Sequence, residues 1–194
     1  MLKRTIGTTF AILVILFMIG ASGLYNVGAD APHWPVTRKI IEIVRDRAIE
    51  VRAARIQVPD LSKPEDILQG AGQYSAMCAN CHLSPGETES EIRPGLYPQP
   101  PNLSEKKIDP KRAFWVIKHG LKMSGMPAWG YGHDDRTLWT IVAFVQKLPE
   151  MSAQRYKQLV AKAPPDKEME SMGNMDNSGQ KRGRGMNGIS ASPQ

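Results

Sequence analysis

Residues 70–82 read GAGQYSAMCANCH, a stretch that holds both cysteines of the 194-residue chain. Cys78 and Cys81 are three residues apart, so one helical turn brings them to the same side, and His82 follows at once. Three kinds of site use such a pattern: a redox dithiol, half of a zinc site and a covalent haem attachment. The rest of the chain has to decide among them.

The zinc and dithiol interpretations find little support elsewhere in the chain. Structural zinc needs about four ligands, and none of the other histidines, His33, His119 and His133, has a second Cys or His near it in the sequence at metal-ligand spacing. A redox dithiol is expected inside a βαβ unit, but no alternating run long enough for a strand flanks Cys78. Because an exported domain permits disulfides, the dithiol stays open as an alternative.

Covalent haem attachment accounts for all five residues of CANCH in their order. Two thiols on one helical turn are placed to add to the two vinyl groups of one porphyrin. The histidine that follows them presents its imidazole to the iron from the same side. We therefore predict haem c, one per chain, held by Cys78 and Cys81, with His82 as the proximal axial ligand.

Composition and charge argue against a nucleic-acid partner. The formal net charge is +6, but residues 65–150 carry nine Lys or Arg against ten Asp or Glu. The excess positive charge therefore lies in the flanks. The central segment lacks the basic stripe, interleaved with aromatic residues, that nucleic-acid binding uses.

The N-terminus predicts a membrane anchor. Lys3 and Arg4 precede an uncharged run from Thr5 to Ala29, whose centre reads FAILVILFMIG. A run of this length spans a hydrocarbon core of about 30 Å, and the two basic residues keep the amino end in the cytoplasm. We expect the bacterial cytoplasmic membrane, with the rest of the chain in the periplasm. A cleaved signal peptide stays open as the alternative.

An amphipathic helix is predicted between Pro35 and about Arg55, because apolar residues recur there at helical spacing with arginines between them. Its simplest role is a stalk that packs on the following domain, rather than a second membrane contact. The residues of the predicted apolar stripe are Ile41, Val44, Ala48 and Val51.

Proline, glycine and aspartate divide the rest of the chain. We predict helices from about Glu65 to Cys78, from Asp109-Pro110 to about Gly120, and, capped by Asp134, from about Asp135 to Leu148, with a long irregular loop over residues 83–110. After Pro165 the composition is expected to leave the tail disordered. Weak copper binding by its methionines is an alternative to a purely compositional origin; these are Met169, Met172, Met175 and Met186.

The stretch GAGQYSAMCANCH, the loop KMSGMPAWG and the last helix LWTIVAFVQKLP resemble the class I c-type cytochromes, specifically small bacterial membrane-anchored monohaem cytochromes. The resemblance covers roughly residues 65–150. It implies an all-α class I cytochrome c fold, with three or more helices around one covalently bound haem. An N-terminal transmembrane helix and a disordered C-terminal tail lie outside it.

The resemblance also implies a second axial ligand. Met126 in the loop is expected to bind the iron, since Gly125 and Pro127 on either side favour a close and rigid approach. Met123 is its rival and is better placed to pack. Bis-histidine ligation is a weaker alternative, because His119 lies at a helix end and His133, just before a helix cap, is expected to be solvated.

Two structural roles follow from the same resemblance. Gly70 and Tyr74 are expected to lie against the last helix, which supplies Trp139 and Phe144 as their counterparts. A proline carbonyl is expected to accept the Nδ1 proton of His82. Pro94 is the candidate by its distance along the chain, with Pro98, Pro100 and Pro101 as competitors.

These predictions divide the chain into four parts: a signal-anchor segment (1–29), a stalk helix and linker (30–63), a haem domain (64–150), and an extension with a Met/Gly-rich tail (151–194). The implied function is electron transfer by a six-coordinate His/Met haem, with redox proteins as partners and no enzyme activity or small-molecule substrate. The alternatives are a dedicated haem subunit of a membrane or periplasmic oxidase or dehydrogenase, and a haem enzyme or sensor with a labile axial ligand.

Overall fold

The computed structural model describes residues 2–165, and every regular element among them is helical. The α-helices are α1 (Leu2–Ala21), α2 (Pro35–Ala53), α3 (Pro64–Met77), α4 (Ala79–His82), α5 (Pro110–His119), α6 (Asp135–Val145) and α7 (Ala153–Lys162). Short 3₁₀ turns lie at Arg93–Gly95, Trp129–Tyr131 and Leu148–Glu150. The all-α prediction is confirmed, and the predicted tail with its methionines lies outside the described residues.

Aspartate and proline begin the helices of the haem domain where the sequence predicts. Pro110 occupies the first turn of α5, and the side chain of Asp109 accepts a hydrogen bond from the backbone N–H of Arg112 at 3.0 Å. Asp134 caps α6 in the same way, through the N–H of Thr137 at 2.7 Å. These caps satisfy backbone donors that a helix start otherwise leaves unpaired.

The core forms where α3 crosses α6. A Cβ atom added to Gly70 would lie 2.0 Å from the carbonyl oxygen of Thr140 and 2.9 Å from Cβ of Phe144. Glycine alone therefore permits this approach of the two helices. One turn later, the buried ring of Tyr74 packs on that of Phe144, with centroids 5.5 Å apart. The predicted roles of Gly70, Tyr74 and Phe144 are confirmed.

Trp139 does not share this contact. Its ring is stacked on that of Phe114 in α5, with centroids 4.1 Å and planes 10° apart. Trp139 directly precedes Thr140, so its side chain points about 100° around α6 from the face that meets Gly70. The prediction that Trp139 packs beside Gly70 and Tyr74 is wrong.

Helix α7 adds a third aromatic ring to the crossing. The ring of Tyr156 is buried, 6.4 Å from that of Tyr74 and 6.1 Å from that of Phe144 between centroids. The side chain of Ser152 caps the helix by accepting from the N–H of Arg155. The sequence predicts no helix after residue 150, yet α7 extends the packed core beyond it.

Helix α2 packs on α5 by a different face from the predicted one. Ile49 and Ala53 are the buried residues of this helix. The large residues of the predicted stripe are exposed instead: Ile41 by 45%, Val44 by 62% and Val51 by 48%. The prediction that this stripe packs on the domain is wrong, since the amphipathic pattern shows that an apolar face exists but not what covers it.

The connection between α1 and α2 folds onto the long loop of the haem domain. The hydroxyl of Tyr25 lies 2.6 Å from Nδ1 of His33. The backbone N–H of His33 donates to the hydroxyl of Tyr97 at 3.1 Å, and their rings meet edge to face. His33 thus ties the connection between α1 and α2 to the loop that follows α4.

We expect Gly70→Ala to lower the free energy of unfolding by about 1–3 kcal/mol. The added methyl group meets backbone atoms of α6, which cannot turn aside as a flexible side chain would. Gly95→Ala is the control, because a Cβ there meets nothing within 4 Å. Denaturant titration of both variants with haem bound checks the prediction, and equal effects would contradict it.

Candidate functional site

Helix α4 folds the CANCH sequence into a single turn. The backbone N–H groups of Cys81 and His82 donate to the carbonyl oxygen of Cys78 at 3.1 and 2.8 Å. No disulfide joins the two cysteines, of which Cys78 is buried and Cys81 half-buried. The two sulfurs therefore belong to the same helical turn, as the spacing predicts.

The environment of Cys78 argues against a redox dithiol. Burial raises the pKa of the Cys78 thiol to about 12, and the nearby Cys81 adds to the rise. A dithiol oxidoreductase requires the opposite, because its attacking sulfur must be a thiolate near neutral pH. A buried, protonated Cys78 is a poor nucleophile in thiol–disulfide exchange.

A single hydrogen bond orients the imidazole of His82. Its Nδ1 lies 2.9 Å from the carbonyl oxygen of Pro101. Since a carbonyl oxygen only accepts, Nδ1 carries the proton in this contact, and Nε2 keeps the lone pair that binds a metal. Burial lowers the pKa of His82, the bond to Pro101 acts against this, and the charge of Arg93 adds to the lowering. The ring is thereby favoured in its neutral, ligating form.

The prediction that Pro94 accepts this bond is wrong. Pro94 lies in the 3₁₀ turn Arg93–Gly95, which takes up chain length and carries the loop onward. The guanidinium of Arg93 then donates to the carbonyl oxygen of Pro100 at 3.1 Å. The N–H of Leu103 donates to the carbonyl oxygen of His82 at 3.2 Å. These two bonds hold the proline-rich segment over His82, so the acceptor is the later proline, Pro101.

Met126 lies in the loop between α5 and α6. Its side chain is half-buried and packs against the hydrophobic core that includes Cys78. Its N–H donates to the hydroxyl of Ser124 at 3.2 Å, and its carbonyl oxygen accepts from the N–H of Leu121 at 3.1 Å. Gly120 ends α5 with φ 64°, in a position where a Cβ would lie 2.7 Å from the carbonyl carbon of Pro127. The loop is therefore closed tightly on the end of α5.

Met123 occupies the tip of the same loop. Its side chain is 96% exposed, and its φ of 57° turns it away from the end of α5. The prediction that Met123 packs against the protein is wrong, because the hydrogen bond between Leu121 and Met126 closes the turn and leaves Met123 outside it.

The two histidines considered as alternative ligands differ in their surroundings. His119 is exposed at the end of α5, with its ring 5.0 Å from that of Trp115, and lines an open cleft of about 450 Å³ beside Arg52 of α2. His133 is only 6% exposed, so the prediction that it is solvated is wrong. The 3₁₀ turn at Trp129–Tyr131 folds back, and the N–H of His133 donates to the carbonyl oxygen of Trp129.

The donors present fit a covalently bound haem. The sulfurs of Cys78 and Cys81 lie on the turn that ends in an imidazole oriented by a carbonyl oxygen. In the long loop, Arg93 Nε and Ser104 Oγ are buried with no hydrogen-bond partner within residues 2–165. Unpaired buried donors are costly, and the carboxylates of a haem are groups that such donors bind. Among these same residues, no group of three or more His, Cys, Asp or Glu is placed to hold a metal ion.

Fold and site together define a c-type cytochrome domain of class I. A family model described as cytochrome c oxidase, cbb3-type, subunit III matches residues 65–145, from the second residue of α3 to the end of α6. No curated protein and no solved structure matches the chain significantly. The chain thus carries a class I c-type cytochrome domain, which binds haem c covalently and serves haem-based electron transfer.

The sequence carries no signal that singles out Pro101. Leu103 is a partly buried apolar residue of the long loop that packs against the core. Its N–H donates to the carbonyl oxygen of His82, which brings the proline two residues before it to the imidazole. Ile92 and Leu96 are apolar residues of the same loop, and Ile92 is 47% exposed, so apolar character alone does not mark where the loop meets the core.

Proposed function

We propose that this protein is a membrane-tethered electron carrier with a six-coordinate haem c. In this proposal Cys78 and Cys81 hold the haem by thioethers, and His82 and Met126 are the axial ligands. The supporting observation is the 2.9 Å contact between Nδ1 of His82 and the carbonyl oxygen of Pro101. It leaves the opposite nitrogen as a metal ligand on the turn that carries both thiols. Haem c supplies reversible one-electron exchange when bound.

The residues of the chain have separate roles in this proposal. Pro101 keeps the imidazole of His82 in one orientation and strengthens it as a ligand. The hydrogen bonds of Met126 to Ser124 and Leu121 hold its thioether against the core. A thioether raises the reduction potential relative to a second imidazole. With both axial positions taken by side chains, none is left for a substrate, so the protein acts as a carrier rather than an enzyme.

Carbon monoxide tests whether the site is closed. The ferrous wild-type protein at neutral pH is expected to bind carbon monoxide only slowly and incompletely, because Met126 must first leave the iron. Absorbance spectra recorded after mixing measure the bound fraction. Rapid, stoichiometric binding would mean an open position, and the alternative of a haem enzyme or sensor would replace the carrier.

We further propose that α1 anchors the protein in the bacterial cytoplasmic membrane, with the haem domain in the periplasm. The stretch Lys3–Ala21 is long and apolar enough to span a membrane, and none of it is buried in the protein. Lys3 and Arg4 favour a cytoplasmic amino end. The contacts of His33 with Tyr25 and Tyr97 support a haem domain held close to where α1 ends.

High-salt washing separates this anchor from a cleaved signal peptide. The protein is expected to stay in the membrane fraction, because salt screens charges but does not weaken apolar insertion. Immunoblots of washed membranes and N-terminal sequencing of the mature chain are the measurements. A chain that begins after residue 20 and is recovered from soluble periplasm would contradict the anchor and leave the haem proposal untouched.

A second candidate function is that of a haem subunit in a larger oxidase. The family model that matches residues 65–145 is described as subunit III of a cbb3-type cytochrome c oxidase. In this role the domain passes electrons to a partner chain that carries out the chemistry. Stoichiometric co-purification with an oxidase in mild detergent supports this candidate, and recovery as a single haem-loaded chain supports the independent carrier.

A further inference from the structure

We infer that α2 lies flat on the membrane surface, with an exposed apolar stripe in contact with lipid. The inference rests on the proposed anchorage by α1. The stripe consists of six apolar side chains of α2 that are between 45% and 70% exposed: Val36, Ile40, Ile41, Ile43, Val44 and Val51. Apolar patches of this kind on a folded domain mark contact with lipid or protein.

The apolar stripe and the docked face occupy opposite sides of α2. At 100° per residue, the six stripe residues fall within an arc of about 160°. The remaining arc holds the buried Ile49 and Ala53. The same arc holds Asp46, whose carboxylate lies 3.8 Å from the guanidinium of Arg112 in α5. It also holds Arg52, whose guanidinium lies over the ring of Trp115 in α5. The haem domain therefore covers one side of α2 and leaves the apolar side uncovered.

The start of α2 is held near the end of α1. Residues 22–34 separate the two helices, at most about 45 Å of extended chain. The connection is folded, because the ring of Tyr25 lies 5.1 Å from that of Trp34, which directly precedes α2. Tyr25 is four residues past the end of α1, so α2 begins within about 30 Å of that end. Trp34 is 56% exposed and is a residue that favours the membrane interface.

Charge favours lipid over a protein as the occupant of the stripe. Arg47 lies within the stripe, with its side chain 70% exposed and 3.1 Å from Glu50. A dry interface with a protein would strip water from this pair, which is costly. At a membrane surface the long stem of Arg47 lets its guanidinium reach the phosphates. Helix α2 carries five Lys or Arg against three Asp or Glu, a balance that favours anionic lipids.

A surface-bound α2 gives the haem domain a second contact with the membrane. A single span would let the domain turn freely about its connection. Because α2 is packed on α5 through Ile49 and Ala53, fixing one side of α2 to the lipid surface also fixes the orientation of the domain. The same face of the domain then points to the membrane at all times.

Spin labels on the full-length, haem-loaded protein test this inference. Haem attachment uses both native thiols, so single introduced cysteines take up the label. Ile40→Cys and Val44→Cys report on the stripe, and Arg38→Cys is the matched control outside it, on a side chain 61% exposed. Ile12→Cys reports whether α1 itself lies in lipid. The protein is reconstituted in vesicles of phosphatidylcholine and phosphatidylglycerol. Relaxation by oxygen, which concentrates in lipid, is compared with relaxation by a water-soluble nickel chelate.

We expect a several-fold higher ratio of oxygen to nickel accessibility at positions 40 and 44 than at position 38. If the ratios are equally low at positions 38, 40 and 44 while the label at position 12 is in lipid, the inference about α2 is overturned. The proposed membrane anchorage by α1 is then still supported. Labels at 40 and 44 that are sheltered from both reagents mean that a second copy or another protein covers the stripe, which also overturns it. If position 12 is in water, the anchor fails, and the inference fails with it.

Discussion

Met126→Ala is expected to open the haem iron and lower its reduction potential by about 0.1–0.3 V, within the roughly 0.8 V range that axial ligands span. Removing the thioether takes away the ligand that stabilises the reduced state. The weak absorbance band due to methionine on ferric iron is expected to disappear. The ferrous variant is expected to bind carbon monoxide rapidly. Redox titration and absorbance spectroscopy are the measurements.

Met123→Ala is the matched control for this experiment. It removes the same side chain, three residues away in the same loop, from a position that is 96% exposed. The reduction potential, the absorbance band of the methionine ligand and the slow binding of carbon monoxide are all expected to stay as in the wild type. If Met123→Ala changes the potential and Met126→Ala does not, the assignment of the axial ligand is contradicted. If neither has an effect, the sixth ligand is not a methionine of this loop.

The double variant Cys78→Ser, Cys81→Ser is expected to lose essentially all covalently bound haem. In the wild type, thioether bonds keep the haem on the polypeptide through denaturation and acid–acetone extraction. Serine cannot form these bonds, so any haem that the variant binds is expected to pass into the acetone. The pyridine haemochrome spectrum of the polypeptide fraction measures what remains attached.

Asn80→Ala provides the control within the same turn. The side chain of Asn80 is exposed, and its removal leaves both thiols and His82 in place. This variant is expected to retain its haem as the wild type does. Haem that is extracted from the wild type, or two titratable thiols in the mature wild-type protein, would refute the thioether assignment.

The features that the sequence predicts correctly depend on residues near one another in the chain. CANCH forms one turn because its donors and acceptors are three or four residues apart. Asp109 and Asp134 begin their helices because a cap needs only the next three residues. Gly70 and Tyr74 form a pair on one face of α3, and their spacing is enough to predict a close helix crossing.

The features that the sequence does not predict depend on segments far apart in the chain. Pro101 rather than Pro94 meets His82 because bonds from Arg93 and Leu103 fold the long loop, and spacing alone does not reveal the path of a loop. This outcome depends on contacts between distant parts of the chain that no local pattern encodes.

The sequence by itself therefore determines the helical class, the order of the helices from α1 to α6 and the turn that carries the thiols and the imidazole. Tertiary structure decides which side each helix turns to its neighbours. For α2, periodicity shows an apolar stripe, yet the domain packs on Ile49 and Ala53 and leaves Val44 exposed. The physical reason is that periodicity measures how apolar residues are distributed around a helix, whereas burial depends on what another part of the chain, or the membrane, brings to that surface.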